Sequence, residues 1–205
     1  MYIVFEGIDG SGKDTQLNKT FAWLGRVHKY AQIWKTREPG RQTPAGREIS
    51  RLLKGEGFRD ARHALDLYVA DRTQQAPILR EINKHSVVLS SRNDFSSYGF
   101  QGAQGLSFEE IHAAHDYAHS GIVVPDLTFF MDVPADRIEA RLEKRGEARE
   151  FFEKAAFQKI AAAKYREAAL RLSAERKIVT IDADRDPDVV FADVVRALEE
   201  AACFI

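Results

Sequence analysis

The sequence predicts a three-layer α/β fold, in which a five-stranded parallel sheet lies between two layers of helices. Five short apolar runs alternate with longer helical stretches, and this alternation is typical of parallel strands joined by crossover helices. The length of 205 residues and the 44% share of hydrophobic residues are enough for one domain with a buried core. The predicted strands are Tyr2–Glu6, Ala31–Thr36, Ser86–Ser91, Leu127–Val133 and Lys177–Asp182.

Capping residues mark where several predicted helices begin. An N-cap residue is followed by proline, or by glutamate three positions later, at Thr43-Pro44, at Ser107 with Glu110, and at Asp186-Pro187. The segment from Asp60 to Lys84 has the pattern of one long helix, and Pro77 predicts a kink within it. No repeat or long linker divides the chain, so we expect a single domain over residues 1–205.

Composition and charge restrict the functional classes that fit this chain. The formal net charge of −1 gives no general attraction for nucleic acid or for a membrane surface. The single cysteine, Cys203, excludes an intramolecular disulfide and fits a reducing compartment. The sequence shows neither a secretory signal nor an apolar run long enough to span a bilayer. We therefore expect a cytoplasmic protein without a nucleic-acid or membrane partner.

A glycine-rich turn between the first strand and the first helix carries the most specific pattern. Gly7-Ile8-Asp9-Gly10-Ser11-Gly12-Lys13 has the spacing of a loop that cradles nucleotide phosphates. Its glycines let successive N–H groups point inward, the helix N-terminus adds a positive dipole end, and Lys13 adds a mobile charge. The pattern usually continues with Ser or Thr as a Mg²⁺ ligand, whereas this chain has Asp14. The predicted ATP-binding residues are Gly7, Ile8, Asp9, Gly10, Ser11, Gly12, Lys13, Asp14 and Thr15.

Basic residues follow the second predicted strand, in the loop from Thr36 to Pro44. Arg37 or Arg41 could hold a phosphate group there, because a guanidinium binds phosphate through paired hydrogen bonds. The alternative is a solvated turn with a surface Arg–Glu pair that contributes little to stability. The loop sequence alone favours neither interpretation. The loop should lie near the glycine-rich turn, because both follow the carboxyl ends of parallel strands.

The long helix places an aromatic ring and a guanidinium on one face. Tyr68 and Arg72 are four residues apart, so they could stack on a base and hydrogen-bond its edge. On the spacing alone, the alternative of a half-buried tyrosine beside a surface arginine is favoured.

The segment after the third strand, from Ser91 to Gly102, mixes aromatic with small polar residues. Arg92 stands at the end of the strand, where it could reach a transferred phosphoryl group. The aromatic residues suit the wall of a nucleoside site, although some should pack in the core, as we expect of Phe95.

Arginines at positions 137, 141, 145 and 149 are spaced by four and form a basic stripe on a helix. Gly146 breaks this helix, so Arg145 and Arg149 fall in a segment that we expect to be mobile. A mobile loop that delivers arginines suits phosphoryl transfer, because it neutralises spreading charge and excludes water. Arg137 and Arg141 are expected to belong to a solvated charged face.

The histidines form no metal-binding pattern with cysteine or carboxylate residues. His115 and His119 are four residues apart, a spacing that could in principle bind zinc. Without further ligands, the pattern favours exposed or helix-capping side chains.

Four segments together resemble the thymidylate kinase family, and the resemblance extends over nearly the whole chain. Their order and spacing make it specific. The segments are Phe5 to Gln16, Thr36-Arg37-Glu38-Pro39-Gly40 with Thr43-Pro44-Ala45-Gly46, Tyr68-Val69-Ala70-Asp71-Arg72, and Arg92 to Gly102. The resemblance implies a P-loop NTPase-type fold with a small lid at about residues 142–153, and ATP-dependent phosphorylation of dTMP to dTDP for dTTP supply. It also implies Mg²⁺ as cofactor and a homodimer.

The resemblance assigns the base and the sugar of the acceptor to particular residues. Asp9 would hydrogen-bond the sugar 3′-hydroxyl, Tyr68 would stack on the base and Arg72 would donate to the base edge. Ser97 would lie near the base, and Phe100 beside the 2′ carbon would favour deoxyribose. The predicted acceptor site comprises Asp9, Arg37, Glu38, Pro39, Tyr68, Arg72, Arg92, Ser97, Phe100 and Gln101.

The resemblance also assigns phosphate binding and catalysis to basic residues. Arg37 and Arg92 would hold the acceptor phosphate. The family carries its catalytic arginine either in the phosphate loop or in the lid, and the loop positions from Ile8 to Ser11 contain no basic residue. The second arrangement is therefore expected, and the predicted catalytic residues are Lys13, Arg92, Arg145 and Arg149.

Three positions depart from the family pattern. The family usually has Ser or Thr at position 14, Asp at position 91 and Tyr at position 100, where this chain has Asp14, Ser91 and Phe100. Asp14 could ligate Mg²⁺ directly, or it could act only as an acidic residue that favours the helix dipole. The departures leave two alternatives open, another (deoxy)nucleoside monophosphate kinase and a nucleotide-binding homologue with weakened catalysis.

Overall fold

The computed structural model describes residues 1–29, 31–137 and 155–201. All strands of its five-stranded sheet are parallel, in the order β2-β3-β1-β4-β5. Each predicted strand is present, with ends within one residue of the prediction. The strands are β1 (Tyr2–Glu6), β2 (Gln32–Arg37), β3 (Ser86–Ser91), β4 (Leu127–Asp132) and β5 (Ile178–Asp182).

The predicted capping residues begin the helices as expected. Thr43 accepts a hydrogen bond from the Gly46 N–H, and Ser107 and Glu110 form a reciprocal capping box. The long predicted helix is also present and continues past Pro77. The helices are α1 (Lys13–Val27), α2 (Pro44–Lys54), α3 (Ala61–Asn83), α4 (Phe95–Ala103), α5 (Phe108–His115), α6 (Ala155–Leu172) and α7 (Pro187–Glu200).

Helices cover both faces of the sheet, because successive strand residues point to opposite sides. Ile3 and Phe5 belong to the large core cluster that includes buried residues of α1 and α7. Tyr2, Val4 and Val88 pack instead against apolar residues of α3. The predicted three-layer α/β fold is therefore confirmed.

The carboxyl edge of the sheet gathers three of the segments that the sequence predicted to be functional. β1 leads into the glycine-rich loop, β2 ends at Arg37, and β3 ends at Ser91 immediately before Arg92. Ser91 is in register with Phe5 of β1 and with Arg37 of β2. Ligands of open parallel sheets bind at this edge. Among the described helices, none has the length and apolar character needed to cross a membrane.

Candidate active site

The glycine-rich loop has the backbone conformation that a phosphate cradle needs. Gly7, Gly10 and Gly12 have φ angles of 144°, 78° and 88°, which residues with a side chain rarely adopt. A Cβ atom at Gly7 would also lie 2.7 Å from the carbonyl oxygen of Met131. α1 begins at Lys13, so the loop lies at the N-terminus of this helix, where an anion is favoured.

Asp9 lies between two cations at the mouth of this loop. The Lys13 Nζ atom is 3.7 Å from Asp9 Oδ1, and Arg92 donates a hydrogen bond to the same carboxylate. Burial alone would raise the pKa of Asp9, but the charges of Arg92 and Lys13 outweigh it and lower that pKa. Burial, together with the charge of Arg92, lowers the pKa of Lys13 to about 8.

Arg92 is fixed at the end of β3 in a left-handed backbone conformation, with φ at 72°. Its Nη1 atom donates to the Gly7 carbonyl oxygen and to the Tyr165 hydroxyl, both at 3.1 Å. Its guanidinium carbon lies 4.8 Å from the centre of the Phe100 ring. Burial lowers the pKa of Arg92, but nearby carboxylates, Asp9 foremost, outweigh it and raise that pKa, so the guanidinium stays charged.

Glu6 is a buried carboxylate below Arg92. It accepts hydrogen bonds from the Asn93 N–H at 2.7 Å, from Ser96 at 2.8 Å and from the Tyr165 hydroxyl at 3.2 Å. Tyr165 packs so closely on α4 that a Cβ atom at Gly99 would overlap its ring. Glu6 is a charged residue at the end of an otherwise apolar strand, and this pattern could have indicated a functional carboxylate. Tyr165 is distant in sequence, and no pattern indicated its contact with Glu6.

One cleft beside the glycine-rich loop brings together all the residues predicted to bind the acceptor. Its lining also includes Arg41, Ser50, Lys54 and Ser96. The cleft meets the glycine-rich loop at Asp9, to which Arg92 of the cleft lining is hydrogen-bonded. The individual contacts of these residues with a substrate stay predictions. The predicted residues that line the cleft are Asp9, Arg37, Glu38, Pro39, Tyr68, Arg72, Arg92, Ser97, Phe100 and Gln101.

Arg72 is buried, with only 4% of its surface exposed, so the alternative of a surface arginine is wrong. Its Nε atom donates to Glu38 at 2.6 Å, and its Nη atoms donate to Ser97 at 2.9 Å and to the Asn93 carbonyl oxygen at 2.8 Å. Burial raises the pKa of Glu38, although the Arg72 charge opposes it. The half-buried Tyr68 ring lies 5.8 Å from the guanidinium carbon of Arg72.

His115 is fully buried behind Arg72, which corrects the expectation of an exposed or capping side chain. Its Nδ1 atom is 2.7 Å from the Ile111 carbonyl oxygen, so Nδ1 carries the hydrogen and Nε2 is free to accept. That Nε2 atom lies 3.1 Å from Arg72 Nη1. Burial, reinforced by the charge of Arg72, lowers the pKa of His115 to about 4 and keeps the ring neutral. His119 is exposed, as expected, and lies 2.8 Å from Asp116.

The loop after β2 is held by α3 rather than left solvated. Asp71 accepts a hydrogen bond from the Gly40 N–H at 2.8 Å and another from Thr43. Glu38 pairs with buried Arg72, so the alternative of a surface Arg–Glu pair within the loop is not found among the described residues. Arg37 and Arg41 are exposed and line the cleft.

Two of the three residues that depart from the family pattern, Asp14 and Ser91, touch each other. The Ser91 hydroxyl donates a hydrogen bond to Asp14 Oδ1 at 2.5 Å. Desolvation by the surrounding loop would raise the pKa of Asp14, but the Lys13 charge and the Ser91 hydroxyl outweigh it and lower that pKa, so this carboxylate is ionised at neutral pH. Carboxylate oxygens are ligands that Mg²⁺ prefers, so the residues fit a cation bound together with phosphate oxygens.

The arginines of the basic stripe fall into two groups. Arg137 is exposed and pairs with Asp184 at 3.4 Å, as expected of a solvated face. Arg141, Arg145, Arg149 and the predicted lid, about residues 142–153, lie outside the described residues. Within the described part of the chain, no group of three His, Cys, Asp or Glu side chains could hold a metal ion without further ligands.

The parallel sheet, the glycine-rich loop at its carboxyl edge and the adjoining cleft define a P-loop nucleotide-binding protein. A family model described as thymidylate kinase matches residues 5–194. The chain is 35% identical to a probable thymidylate kinase of Pyrobaculum aerophilum, over 99% of this chain and 98% of that protein. It is 37% identical to a thymidylate kinase of a Synechococcus species, over 97% and 94% of the two chains. The chain belongs to the thymidylate kinase family.

Proposed function

We propose that this protein transfers the γ-phosphoryl group of ATP to dTMP, giving ADP and dTDP for dTTP synthesis. The observation that carries this proposal is the common boundary of the two sites: the acceptor cleft meets the glycine-rich loop at Asp9 and Arg92. A phosphate held by Arg92 would therefore face the phosphates held by the loop. The proposal includes a cytoplasmic location, which the single cysteine of the sequence supports.

The donor side of the proposed reaction uses backbone groups and one mobile charge. The loop amides and Lys13 would hold the ATP phosphates, and Asp14 would help to hold Mg²⁺, which when bound neutralises phosphate charge. Lys13 lies against Asp9 in this structure, so it would exchange a carboxylate for a phosphate when ATP binds. Catalysis would come from positioning and charge neutralisation, with no covalent intermediate.

The acceptor side would recognise dTMP through rings and a fixed guanidinium. Tyr68 would stack on the thymine, and Arg72, held by its buried partners, would present a remaining N–H to the base edge. Phe100 is almost buried, and its ring offers no polar partner for a 2′-hydroxyl. Arg37 would join Arg92 at the acceptor phosphate, since both line the cleft.

The predicted lid arginines have a role in the proposed catalysis. We propose that Arg145 and Arg149 neutralise the negative charge that develops while the phosphoryl group is transferred. Arg145→Ala and Arg149→Ala should then lower kcat far more than they weaken ATP binding. An equal loss in kcat and in ATP affinity would contradict a role limited to the transition state.

A coupled assay of ADP release tests the proposed substrate. The acceptors to compare are dTMP, dUMP, dGMP, dCMP and UMP, each with ATP and Mg²⁺. We expect the highest kcat/KM with dTMP and a large preference for dUMP over UMP, because the Phe100 ring excludes the 2′-hydroxyl. Turnover of another monophosphate without turnover of dTMP would end the substrate proposal.

The proposed homodimer would use the exposed apolar groove between β2 and α3. Trp34 is 51% exposed and Ile78 is 66% exposed, and both line this groove. Exposed apolar surface of this kind is typical of protein interfaces. Light scattering should report a dimer, and a Trp34→Glu/Ile78→Glu variant should be monomeric. Leu170→Glu, at another exposed apolar position, is the matched control and should stay dimeric.

A further inference from the structure

Asp14 and Ser91 form one contact across two elements of the phosphate site. Asp14 is the second residue of α1 and is exposed at the end of the glycine-rich loop, whereas Ser91 is the buried last residue of β3. The 2.5 Å hydrogen bond between them runs from the hydroxyl to the carboxylate.

The two residue types occupy each other's usual positions. In P-loop enzymes a hydroxyl residue follows the loop lysine, and a separate aspartate joins it in holding Mg²⁺. Positions 14 and 91 are where the family pattern has the hydroxyl and the aspartate, respectively. This chain has the carboxylate at position 14 and the hydroxyl at position 91, so the site keeps one of each group in contact.

We propose that Asp14 and Ser91 are a transposed metal-holding pair, in which Asp14 supplies the anionic oxygen for the divalent cation bound with ATP and Ser91 orients it. This inference rests on the proposed ATP-binding function of the loop. The departures at the two positions then compensate each other, and they do not indicate a degenerate site.

The charge of the site supports transposition. After the exchange the pair still contains a single carboxylate. A carboxylate at position 14 adds repulsion toward ATP, but the usual carboxylate at position 91 is missing, so the total negative charge of the pair is unchanged. Two carboxylates in contact would repel, and two hydroxyls would leave the cation without an anionic ligand from the pair.

No other described carboxylate near the loop is as available. Asp94 is buried and pairs with Arg176 at 2.5 Å. Glu6 is buried and accepts hydrogen bonds at both oxygens. Asp9 is shared between Lys13 and Arg92.

The hydrogen-bond pattern leaves the pair able to bind. Ser91 uses its one hydrogen toward Asp14, so the lone pairs of its oxygen remain open to a cation or to water. The second oxygen of Asp14, Oδ2, accepts no hydrogen bond from the described residues. Asp14 thus presents a hard oxygen ligand at the exposed start of α1, with the Ser91 oxygen in contact with it, and Mg²⁺ prefers ligands of this kind.

A swap experiment with Mn²⁺ as the probe tests the pair. Mn²⁺ binding in the presence of the β,γ-imido analogue of ATP is measured by electron paramagnetic resonance. The proteins are the wild type, Asp14→Ser, Ser91→Asp, the Asp14→Ser/Ser91→Asp double variant, and the control Asp66→Ser, which removes an exposed carboxylate of α3. Thermal unfolding without ligand is measured on the same proteins.

We expect Asp14→Ser to weaken Mn²⁺ binding by about ten- to 100-fold. The double variant should recover to within a few-fold of the wild type, and the control should bind like the wild type. Ser91→Asp alone should lower the unfolding temperature, because it sets two carboxylates against each other, and the double variant should recover that loss.

Two results would contradict the proposal that Asp14 and Ser91 hold the cation together. One is a double variant that binds Mn²⁺ no better than Asp14→Ser. The other is unchanged Mn²⁺ binding in Asp14→Ser, which would leave Asp14 only its interaction with the helix dipole. None of these readouts needs turnover. A wild type that shows the swap behaviour but makes no dTDP would refute the kinase proposal and keep the pair, whereas an active kinase without the swap behaviour would refute the pair alone.

Discussion

The glycine-rich loop and the cleft beside it are held in shape by different kinds of interaction. The loop is shaped by backbone, with glycines at positive φ, a helix N-terminus and the exposed Asp14 carboxylate. The cleft is shaped by buried side chains, with Arg72 held by Glu38, Ser97 and His115. We therefore expect the loop to discriminate little among polyphosphates that bring a cation, and the preorganised cleft to reject ligands that do not match it.

The largest effect should come from breaking the buried pair of the cleft. Arg72→Met leaves Glu38 buried without its partner, so it should lower the free energy of unfolding by about 3–5 kcal/mol. Urea unfolding measures this change. The Arg72→Met/Glu38→Leu double variant removes both charges and should be clearly more stable than the single variant. Equal free energies of unfolding for the single and the double variant would show that the buried Arg72–Glu38 ion pair does not stabilise the cleft.

The loop should respond in activity rather than in stability. Lys13→Ala removes the mobile charge at the phosphates, so kcat/KM for ATP should fall by about 10²–10³-fold. The dissociation constant for dTMP should change little, because Lys13 does not line the cleft. Lys164→Ala, which removes an exposed ammonium paired with Glu167, is the matched control. A comparable loss of dTMP affinity in Lys13→Ala would mean that the two regions are not separable.

His115 tests whether the buried partners of Arg72 position it. His115→Phe leaves an Arg72 N–H unsatisfied, and the KM for dTMP should rise by roughly tenfold, with the KM for ATP unchanged. His115→Gln offers an amide oxygen to Arg72 and should recover part of this loss. His119→Phe, at an exposed position, should be neutral. If both KM values rose together, His115 would be a structural residue only.

The smallest effect concerns the pH dependence of ATP binding. Free Lys13, with its pKa near 8, is charged below pH 8 and loses its proton above it. A bound phosphate favours the ammonium and raises the pKa of Lys13, so ATP should bind with proton uptake above pH 8. Its affinity should fall by about fivefold between pH 8 and pH 9. Calorimetry at pH 8.5 in buffers of different ionisation enthalpy measures the uptake, and its absence would contradict the low pKa.

The same difference between the two regions explains what the sequence could predict. The loop is contiguous, so its spacing alone predicted a phosphate site, and alternating patterns located all five strands. The full set of residues predicted to bind the acceptor came from the resemblance, and the structure gathers those residues in one cleft. Spacing alone favoured an exposed Arg72, because nothing in a local pattern shows which helix covers it.

The residues that sequence reasoning missed are partners separated by long stretches of chain. Tyr165 donates to Glu6 although the two are 159 positions apart. His115 is 43 positions from Arg72, and a spacing of four from His119 indicated nothing about burial. Such contacts depend on how helices pack on the sheet, which local propensity and periodicity do not encode. Asp71 belongs to a segment that carries the resemblance, but the sequence did not predict its hydrogen bond to the loop after β2.

The most direct test of the account is the product balance of the unmodified protein. ATP, dTMP and Mg²⁺ are incubated with the wild type, and the nucleotides are separated by anion-exchange chromatography. If the cleft holds dTMP beside the ATP phosphates at Asp9 and Arg92, each phosphoryl transfer yields one dTDP and one ADP. We therefore expect the two products in a ratio of one to one. ADP without dTDP, or no consumption of ATP, would contradict it.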